Sequence, residues 1–246
     1  PELHRLDGRW YIYYTATDRA DPGDHNRYVF VLENTSDDPL TGPWTDRGRV
    51  NTELPGLDGS VFTWGGQRYF LYSAYKDVGS VLMIARMENP WTLQGGEVQI
   101  AQPEYDWEVT GDRRICEAPQ FLEGPGDKNF VVYSAAACWD DDYALGRLDI
   151  DKSADPMDPA AWQKQPEPVF IASAENGVWG TGHNAFFMSP DSSESWIVYH
   201  GKDTASGECR NRSARMQPFE WDANGIPQFG QPVAVTDTLQ RPSGSL

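Results

Sequence analysis

The sequence predicts an all-β propeller, and three observations support this fold class. A pattern of about sixty residues recurs four times along the 246-residue chain. Each recurrence holds about four short segments rich in β-branched and aromatic residues between turn residues, as β-strands are. The 3.6-residue periodicity of amphipathic helices is found nowhere in the sequence. Four-stranded units at this period are typical of propeller blades, whereas the strands of a β-sandwich carry no such periodic motif.

The most regular part of the repeat is a turn followed by an aromatic strand that ends in Tyr and a small or polar residue. The marker tyrosines are spaced by 58, 61 and 66 residues and are Tyr14, Tyr72, Tyr133 and Tyr199. After the marker, a strand runs into an Asp- or Asn-rich loop with Pro and then Trp, at residues 28–44, 81–91 and 143–162, with a looser version at 212–221. This second piece predicts an outer pair of strands.

A shorter, inward-facing strand precedes each marker, at residues 1–4, 58–62, 117–122 and 183–187. Counting back from the tyrosines places a polar residue at the beginning of each one: Glu2, Asp58, Glu117 and His183. Equivalent positions on successive blades converge on one end of the propeller axis, where several blades can hold one ligand. We therefore expect these side chains to share a funnel at that end.

Asp58 and Glu117 are the candidate catalytic pair. Two carboxylates held close together in a partly desolvated pocket acquire different pKa values, which allows one of them to act as an acid. Glu117 has apolar or small neighbours on both sides, a setting that favours a raised pKa and the protonated form. Asp58 begins a strand beside a glycine, and we expect it to stay ionised. The alternative is that both are turn residues whose side chains bind backbone N–H groups.

Other polar and aromatic residues are candidates for binding. His183 either caps a turn, fills the core, or holds a water molecule or a calcium ion on the axis. Arg212 and Arg215 alternate in a way that lets only one of them point inward, where the guanidinium would suit sugar hydroxyls or a carboxylate. Five aromatic residues either form a sugar-stacking surface or belong to the blade core. They are Trp10, Tyr11, Tyr13, Phe62 and Trp64, of which Phe62 is the candidate for substrate binding.

Composition narrows the function classes. The chain has 20 Lys and Arg against 37 Asp and Glu, a formal charge of −17, which disfavours nucleic acid and anionic membrane surfaces as partners. No apolar run approaches the roughly 20 residues needed to span a bilayer. The acidic run at residues 139–146 is expected to be a solvated loop rather than a calcium site. The three cysteines allow one disulfide and one free thiol, or three buried thiols.

The motifs resemble glycoside hydrolase family 43, the five-bladed β-propeller arabinofuranosidases, xylosidases and arabinanases. The resemblance is carried by PELHRLDGRWYIYYTA at the beginning of the chain, LDGSVF around Asp58, CEAPQFL around Glu117 and GTGHNAFF around His183. WDANGIPQFGQPV, at residues 221–233, resembles the end of the family's last blade, so the likeness covers essentially the whole chain. YHGKD from Tyr199 and DWEVTG before Glu117 look most like the extracellular α-L-arabinofuranosidase branch.

The resemblance implies roles for these residues in hydrolysis with inversion. Glu117 matches the general acid, and Asp58 matches the carboxylate that modulates the pKa of the acid and orients it. His183 matches a residue that holds water or a calcium ion near the site, and Arg212 matches one that contacts the sugar. No cofactor is required by this chemistry, although a structural calcium ion on the axis is compatible with it. Ala118 departs from the family pattern, which commonly has Gly after the acid.

The resemblance also implies that residues 1–246 form a single catalytic propeller domain that is incomplete at its N-terminus. Four repeats are visible where the family has five, and the family's base is an Asp on the first blade, before the segment that contains Glu2. Glu2 lies in a similar register but on what would be the second blade, so it is not assigned as the base. A degenerate, non-catalytic propeller is the alternative to a truncated one.

The expected function is release of α-L-arabinofuranosyl residues from arabinan or arabinoxylan, in the degradation of hemicellulose. The expected partner is a plant cell-wall polysaccharide or oligosaccharide, and we expect a secreted monomer. Two alternatives stay open: a β-xylosidase of the same family, and a carbohydrate-binding propeller without turnover. A retaining fructosidase-type propeller is disfavoured by the LDGSVF and GHNAFF stretches.

Overall fold

The computed structural model describes residues 1–77 and 79–245, and their strands form four four-stranded antiparallel sheets in chain order. Blade 1 consists of β1 (Glu2–Leu6), β2 (Arg9–Thr17), β3 (Arg27–Asn34) and β4 (Thr45–Arg49). Blade 2 consists of β5 (Gly56–Trp64), β6 (Gln67–Lys76), β7 (Gly79–Asn89) and β8 (Thr92–Ala101). A short hairpin follows, made of β9 (Val109–Thr110) and β10 (Arg113–Arg114).

Blade 3 consists of β11 (Cys116–Glu123), β12 (Lys128–Ala135), β13 (Ala144–Asp151) and β14 (Gln163–Lys164). Blade 4 consists of β15 (Trp179–Met188), β16 (Ser195–Lys202), β17 (Arg212–Trp221) and β18 (Pro227–Gln228). The helical elements of the described chain are single turns of 3-10 helix at Asp24–Asn26, Asp106–Glu108 and Pro159–Ala161. No helix within residues 1–77 and 79–245 is long and apolar enough to cross a membrane. The predicted all-β architecture of repeated four-stranded blades is confirmed.

Hydrophobic clusters between successive blades hold the structure together. One cluster joins blades 1 and 2 around Tyr13, a second joins blades 2 and 3 around Tyr133, and a third joins blades 3 and 4 around Ile197. Each fully buried large side chain contributes about 1.5–3 kcal/mol to folding through the apolar area it removes from water. Among the buried residues that the structure describes, no cluster joins blade 4 to blade 1.

The marker tyrosines lie on the second strand of each blade, and three of the four face the preceding blade. Tyr72, Tyr133 and Tyr199 are buried in the clusters that join their blades to the preceding ones. Tyr14 has the corresponding place on β2 but is only partly buried. Its neighbour Tyr13 points to the other side of the strand, into the cluster with blade 2. The face of blade 1 that carries Tyr14 is therefore not covered by any blade of the described chain.

The inner strands of blades 2, 3 and 4 share a β-bulge near their beginnings. One extra residue interrupts the pairing with the second strand between Leu57 and Ser60, between Glu117 and Gln120, and between Gly182 and Ala185. In each bulge the first unpaired residue has a positive φ: Asp58 at 55°, Ala118 at 48° and His183 at 50°. Non-glycine residues rarely adopt this conformation, and bulges commonly re-aim side chains next to active sites.

The strand pairing corrects the predicted register of the polar residues. Asp58 and His183 occupy equivalent positions. The corresponding residue on blade 3 is Ala118, and Glu117 lies one residue before it. Glu2 pairs with Tyr13 and corresponds to Ser60, Gln120 and Ala185, further along the inner strands. Counting back from the tyrosines missed these differences because the hairpins that connect the first two strands differ in length. The prediction that the four polar residues occupy one equivalent position is therefore wrong.

One disulfide joins two neighbouring blades. Cys138, after β12, is bonded to Cys209, before β17, across 71 residues of sequence. Cys116 is a free, buried thiol at the beginning of β11. Of the two arrangements left open by the sequence, the structure has one bridge and one free thiol.

Candidate active site

Hydrogen bonds between blades fix the three bulges. A bulge removes a backbone N–H from the sheet ladder, and that N–H needs another partner. The Asp58 N–H donates to Oγ1 of Thr15 at 3.1 Å, and the His183 N–H donates to Oγ of Ser134 at 2.7 Å. Thr15 and Ser134 are the small polar residues that directly follow marker tyrosines on the preceding blades. The polar end of the repeat thus links the inner strands of blades 2 and 4 to the blades before them.

The link between blades 2 and 3 uses a carboxylate instead. The Ala118 N–H donates to Oδ2 of Asp58 at 3.1 Å. Ala118 directly follows Glu117, so this bond ties the two carboxylate residues together across the blade boundary. Both side chains are partly buried. The predicted pair is therefore brought together at one end of the inner strands.

The pKa of Glu117 is raised from 4.5 to about 7, first because the carboxyl is desolvated by burial and second because the charge of Asp58 lies nearby. A hydrogen bond from the Tyr143 hydroxyl to Oε1 of Glu117, 2.6 Å long, opposes this rise, as do the charges of Arg212 and Arg27. The sequence predicts this direction from apolar neighbours, and the structure supplies a further cause in Asp58. Near pH 7, roughly half of the Glu117 carboxyl groups are therefore protonated.

The pKa of Asp58 is also raised, mainly by burial. The charge of His183 and the hydrogen bond from the Ala118 N–H lower it, whereas the charge of Glu2 raises it. Burial at the blade boundary therefore opposes the expectation that Asp58 stays ionised. Both carboxylates thus have partners that stabilise their negative forms, and burial opposes ionisation of both.

A cleft of about 690 Å³ opens beside Glu117 between blades 1, 2 and 3. Its wall includes Arg27, whose guanidinium donates to the Tyr75 hydroxyl at 2.7 Å, and the β9–β10 hairpin with Arg113. Trp139 lies at the same cleft and is 41% exposed, an aromatic face on which a sugar ring can stack. Glu117 thus lines a pocket of the size that a small ligand requires.

His200 connects Arg212 to the carboxylate pair and was not identified from the sequence. Arg212 donates through Nη1 to Nε2 of His200 at 3.1 Å and through Nε to the Cys209 carbonyl at 2.7 Å. The His200 ring stacks on Tyr143, with centroids 5.5 Å apart, and lies 6.4 Å from the ring of His183. Burial, Arg212 and His183 lower the pKa of His200 to about 3, so the ring is neutral. Its signal in the sequence was its place directly after a marker tyrosine.

The acidic run at residues 139–146 is not simply the solvated loop that the sequence predicts. Tyr143, within it, is 1% exposed and reaches Glu117. Asp141 accepts an ion-pair hydrogen bond from Lys202, which is fully buried. The loop carries polar residues because it ties blade 3 to blade 4, and hydropathy alone does not separate such a loop from a solvated one.

Phe62 and Glu2 lie elsewhere. Phe62 is 7% exposed and stacks on Phe121 with ring centroids 4.1 Å apart. Phe62 and Phe121 line a separate axial cavity of about 370 Å³. Glu2 and Gln120 line it too, and the Gln120 amide donates to the Glu2 carboxylate. The structure does not bring Phe62 into the cleft beside Glu117. Arg215 pairs with Asp203 and so makes a structural ion pair.

The described residues do not form a ready metal centre. No group of three or more His, Cys, Asp and Glu side chains within residues 1–77 and 79–245 is arranged to hold a metal ion. A calcium ion near His183 would therefore need water or backbone oxygens for most of its ligands.

An all-β propeller that places a glutamic acid of raised pKa at a cleft, with a second carboxylate bonded to the residue beside it, has the arrangement that two-carboxylate glycosidases use. Residues 1–227 match Glycosyl hydrolases family 43, and the chain belongs to this family.

Several characterised proteins are similar to the chain. It is 38% identical over 244 residues to an extracellular exo-α-(1→5)-L-arabinofuranosidase of Streptomyces avermitilis, covering 95% of this chain and 50% of that protein. It is 36% identical over 244 residues to α-L-arabinofuranosidase 43 of Humicola insolens, with the same coverage. The crystal structure of an α-L-arabinofuranosidase from Lactobacillus brevis superposes with a TM-score of 0.88 at 33% identity, covering 97% of this chain and 77% of that one. The chain thus spans about half the length of these curated relatives.

Proposed function

We propose that the whole protein is an inverting glycosidase that releases α-L-arabinofuranosyl residues from arabinan or arabinoxylan, with Glu117 as its general acid. The observation that carries this proposal is the position of Glu117, which lines the cleft with a pKa of about 7. A general acid works best when its pKa lies near the working pH. The names of the relatives support arabinofuranosides as the substrate class.

In this mechanism Glu117 gives its proton to the glycosidic oxygen as the bond to the anomeric carbon breaks. Asp58 holds the Ala118 N–H and thereby fixes the backbone beside the acid. Its negative charge keeps Glu117 protonated until the leaving group needs the proton. A water molecule attacks from the opposite face of the sugar, activated by a carboxylate about 6.5–9.5 Å from the acid.

We propose that this base is carried by a further blade, from chain outside residues 1–246, that packs between blades 1 and 4. The uncovered face of blade 1 carries Tyr14 and Leu3, and Leu3 is 51% exposed. Met216, on the face of blade 4 that points away from blade 3, is 46% exposed. Apolar side chains on two free sheet faces are expected to be buried by another sheet. Residues 1–246 are then part of a single catalytic propeller domain.

The site would receive the substrate with its leaving group in the cleft beside Glu117. Trp139 offers a stacking face there, and Arg27 and Arg113 offer hydrogen-bond donors to sugar hydroxyls. Arg212 and His183, whose charges act on Glu117 and Asp58, would contact the arabinofuranosyl ring. The disulfide and the extracellular relatives support secretion of the protein. A plant cell-wall polysaccharide or oligosaccharide is the proposed partner.

The test is Glu117→Gln in the whole protein, with arabinose release from an arabino-oligosaccharide measured by chromatography. Loss of a general acid should lower kcat by about 10²–10⁴-fold. Glu123→Gln is the matched control, because Glu123 is an exposed glutamate at the other end of the same strand. Wild-type rates for Glu117→Gln would refute the role. NMR of the first product should show the inverted anomer, and faster release of xylose from the matching xyloside would replace the substrate assignment.

A further inference from the structure

The acid has a hydrogen-bond donor that sequence analysis did not identify. The Tyr143 hydroxyl donates to Oε1 of Glu117 at 2.6 Å from the loop between β12 and β13. The tyrosine is 1% exposed, so no water competes for this hydroxyl. Burial and the charge of Glu117 raise the pKa of Tyr143 well above its ordinary value, so the phenol keeps its proton and donates it in this bond to the carboxylate.

The ring of Tyr143 is held on two sides by blade 4. His200 stacks on it nearly parallel, with an angle of 9° between the ring planes. Gly182, which pairs with His200 across the sheet, lies so close that a Cβ there would collide with the Tyr143 ring. A glycine at 182 therefore leaves room for the tyrosine. The hydroxyl is fixed by packing, independently of its bond to Glu117.

We propose that Tyr143 is a positioning residue for the acid, and that its hydroxyl keeps the reactive proton of Glu117 on Oε2. A neutral carboxyl has one O–H, and an oxygen that accepts a short hydrogen bond is the carbonyl-like one. With Oε1 occupied by Tyr143, the proton lies on Oε2. It moves from there to the glycosidic oxygen, which takes the electron pair of the broken C–O bond and leaves as a hydroxyl. This inference rests on the proposed function of Glu117.

The hydrogen bond from Tyr143 also changes the pKa of Glu117, and this change can be measured. A donor to a carboxylate stabilises the ionised form, so Tyr143 lowers the pKa of Glu117. Removing the hydroxyl should raise that pKa above its present value of about 7. The other charged groups that act on Glu117 stay in place in such a variant, and they are Asp58, Arg212 and Arg27.

The experiment compares Tyr143→Phe with wild type in the whole protein, on an arabino-oligosaccharide and on 4-nitrophenyl α-L-arabinofuranoside. The nitrophenolate leaves with little help from an acid, whereas a sugar hydroxyl needs the proton. We expect kcat for the oligosaccharide to fall by about 10-fold or more and kcat for the nitrophenyl substrate by less than about 3-fold. The alkaline limb of the kcat/KM profile for the oligosaccharide should move to higher pH.

Tyr199→Phe is the matched control, because it also removes one buried hydroxyl, here bonded to Gln217 at 2.9 Å in the core between blades 3 and 4. This variant should lower kcat for both substrates by the same factor, if at all, and should leave the alkaline limb of the kcat/KM profile at the same pH. Equal slowing of both substrates by Tyr143→Phe, or an unmoved alkaline limb, would overturn the inference. If Glu117→Gln itself keeps full activity on the oligosaccharide, the proposed role of Glu117 fails. That result is distinct from a failure of the Tyr143 inference, in which Glu117→Gln is inactive but Tyr143→Phe does not show the expected pattern.

Discussion

Replacement of Asp58 by Asn removes one negative charge beside Glu117 and changes little else. The Asn side chain keeps an oxygen that can accept the hydrogen bond from the Ala118 N–H. Burial raises the pKa of Glu117 most, and the charge of Asp58 is the next cause. The variant should therefore lower the pKa of Glu117 from about 7 toward 4.5 without reaching it, since the burial remains.

The rise in the pKa of Glu117 from 4.5 to about 7 corresponds to roughly 3 kcal/mol of preference for the protonated form. Because burial is the larger cause, we assign the Asp58 charge about one pH unit, at the lower end of the effect of a close charge. Half of Glu117 is protonated at pH 7 in the wild type, and about a tenth would be in the variant. Protonation alone should then lower kcat/KM at pH 7 by about fivefold.

The assay is kcat/KM for an arabino-oligosaccharide between about pH 4 and 9, in which the alkaline limb reports the acid of the free enzyme. The limb should move to lower pH in Asp58→Asn, opposite to its movement in Tyr143→Phe. Asp112→Asn is the control, because Asp112 lines the same cleft but is exposed. An unchanged limb in Asp58→Asn, with a normal fold by circular dichroism, would refute the coupling of the two carboxylates.

Two further predictions concern stability. Lys164→Met leaves the fully buried Glu108 without its cation at 2.7 Å and should lower the free energy of unfolding by about 3–5 kcal/mol, whereas Arg86→Met breaks an exposed pair and should cost less than about 1 kcal/mol. Urea unfolding measures both, and equal losses would contradict this difference. Cys209→Ser opens a disulfide that spans 71 residues and should cost about 4 kcal/mol, seen as a lower Tm that reductant reproduces in the wild type. An unchanged Tm would mean that the bridge adds no stability.

The blades were predictable because their signals are local. Turn residues, alternating side chains and a marker tyrosine recur within each unit, and a period-2 pattern already defines which side of a strand is buried. Asp58 and Glu117 were found because each begins an inner strand in that repeat. The free thiol and the disulfide were not separable from sequence, since pairing depends on which loops of different blades meet.

The details of the site were less accessible. Glu117 lies one position ahead of the residue that corresponds to Asp58 and His183, and a count from the tyrosines does not detect this because the hairpins between the first two strands differ in length. Phe62 looked available for a sugar but stacks on Phe121 in the axial cavity. Whether an aromatic residue on a strand faces ligand or core depends on the neighbouring blade.

The sequence by itself therefore determined the strands, their grouping into blades and the two carboxylates, because these follow from residue types within a single unit. Only the tertiary structure decided that Asp58 holds the backbone beside Glu117, that Tyr143 donates to the acid, and that burial raises its pKa. The Asp58 bond joins two blades and the Tyr143 bond joins an inner strand of blade 3 to a distant loop of the same blade, so both pairs are more than 20 positions apart in sequence. Their interaction energy exists only after the blades pack around a common axis and exclude water from it.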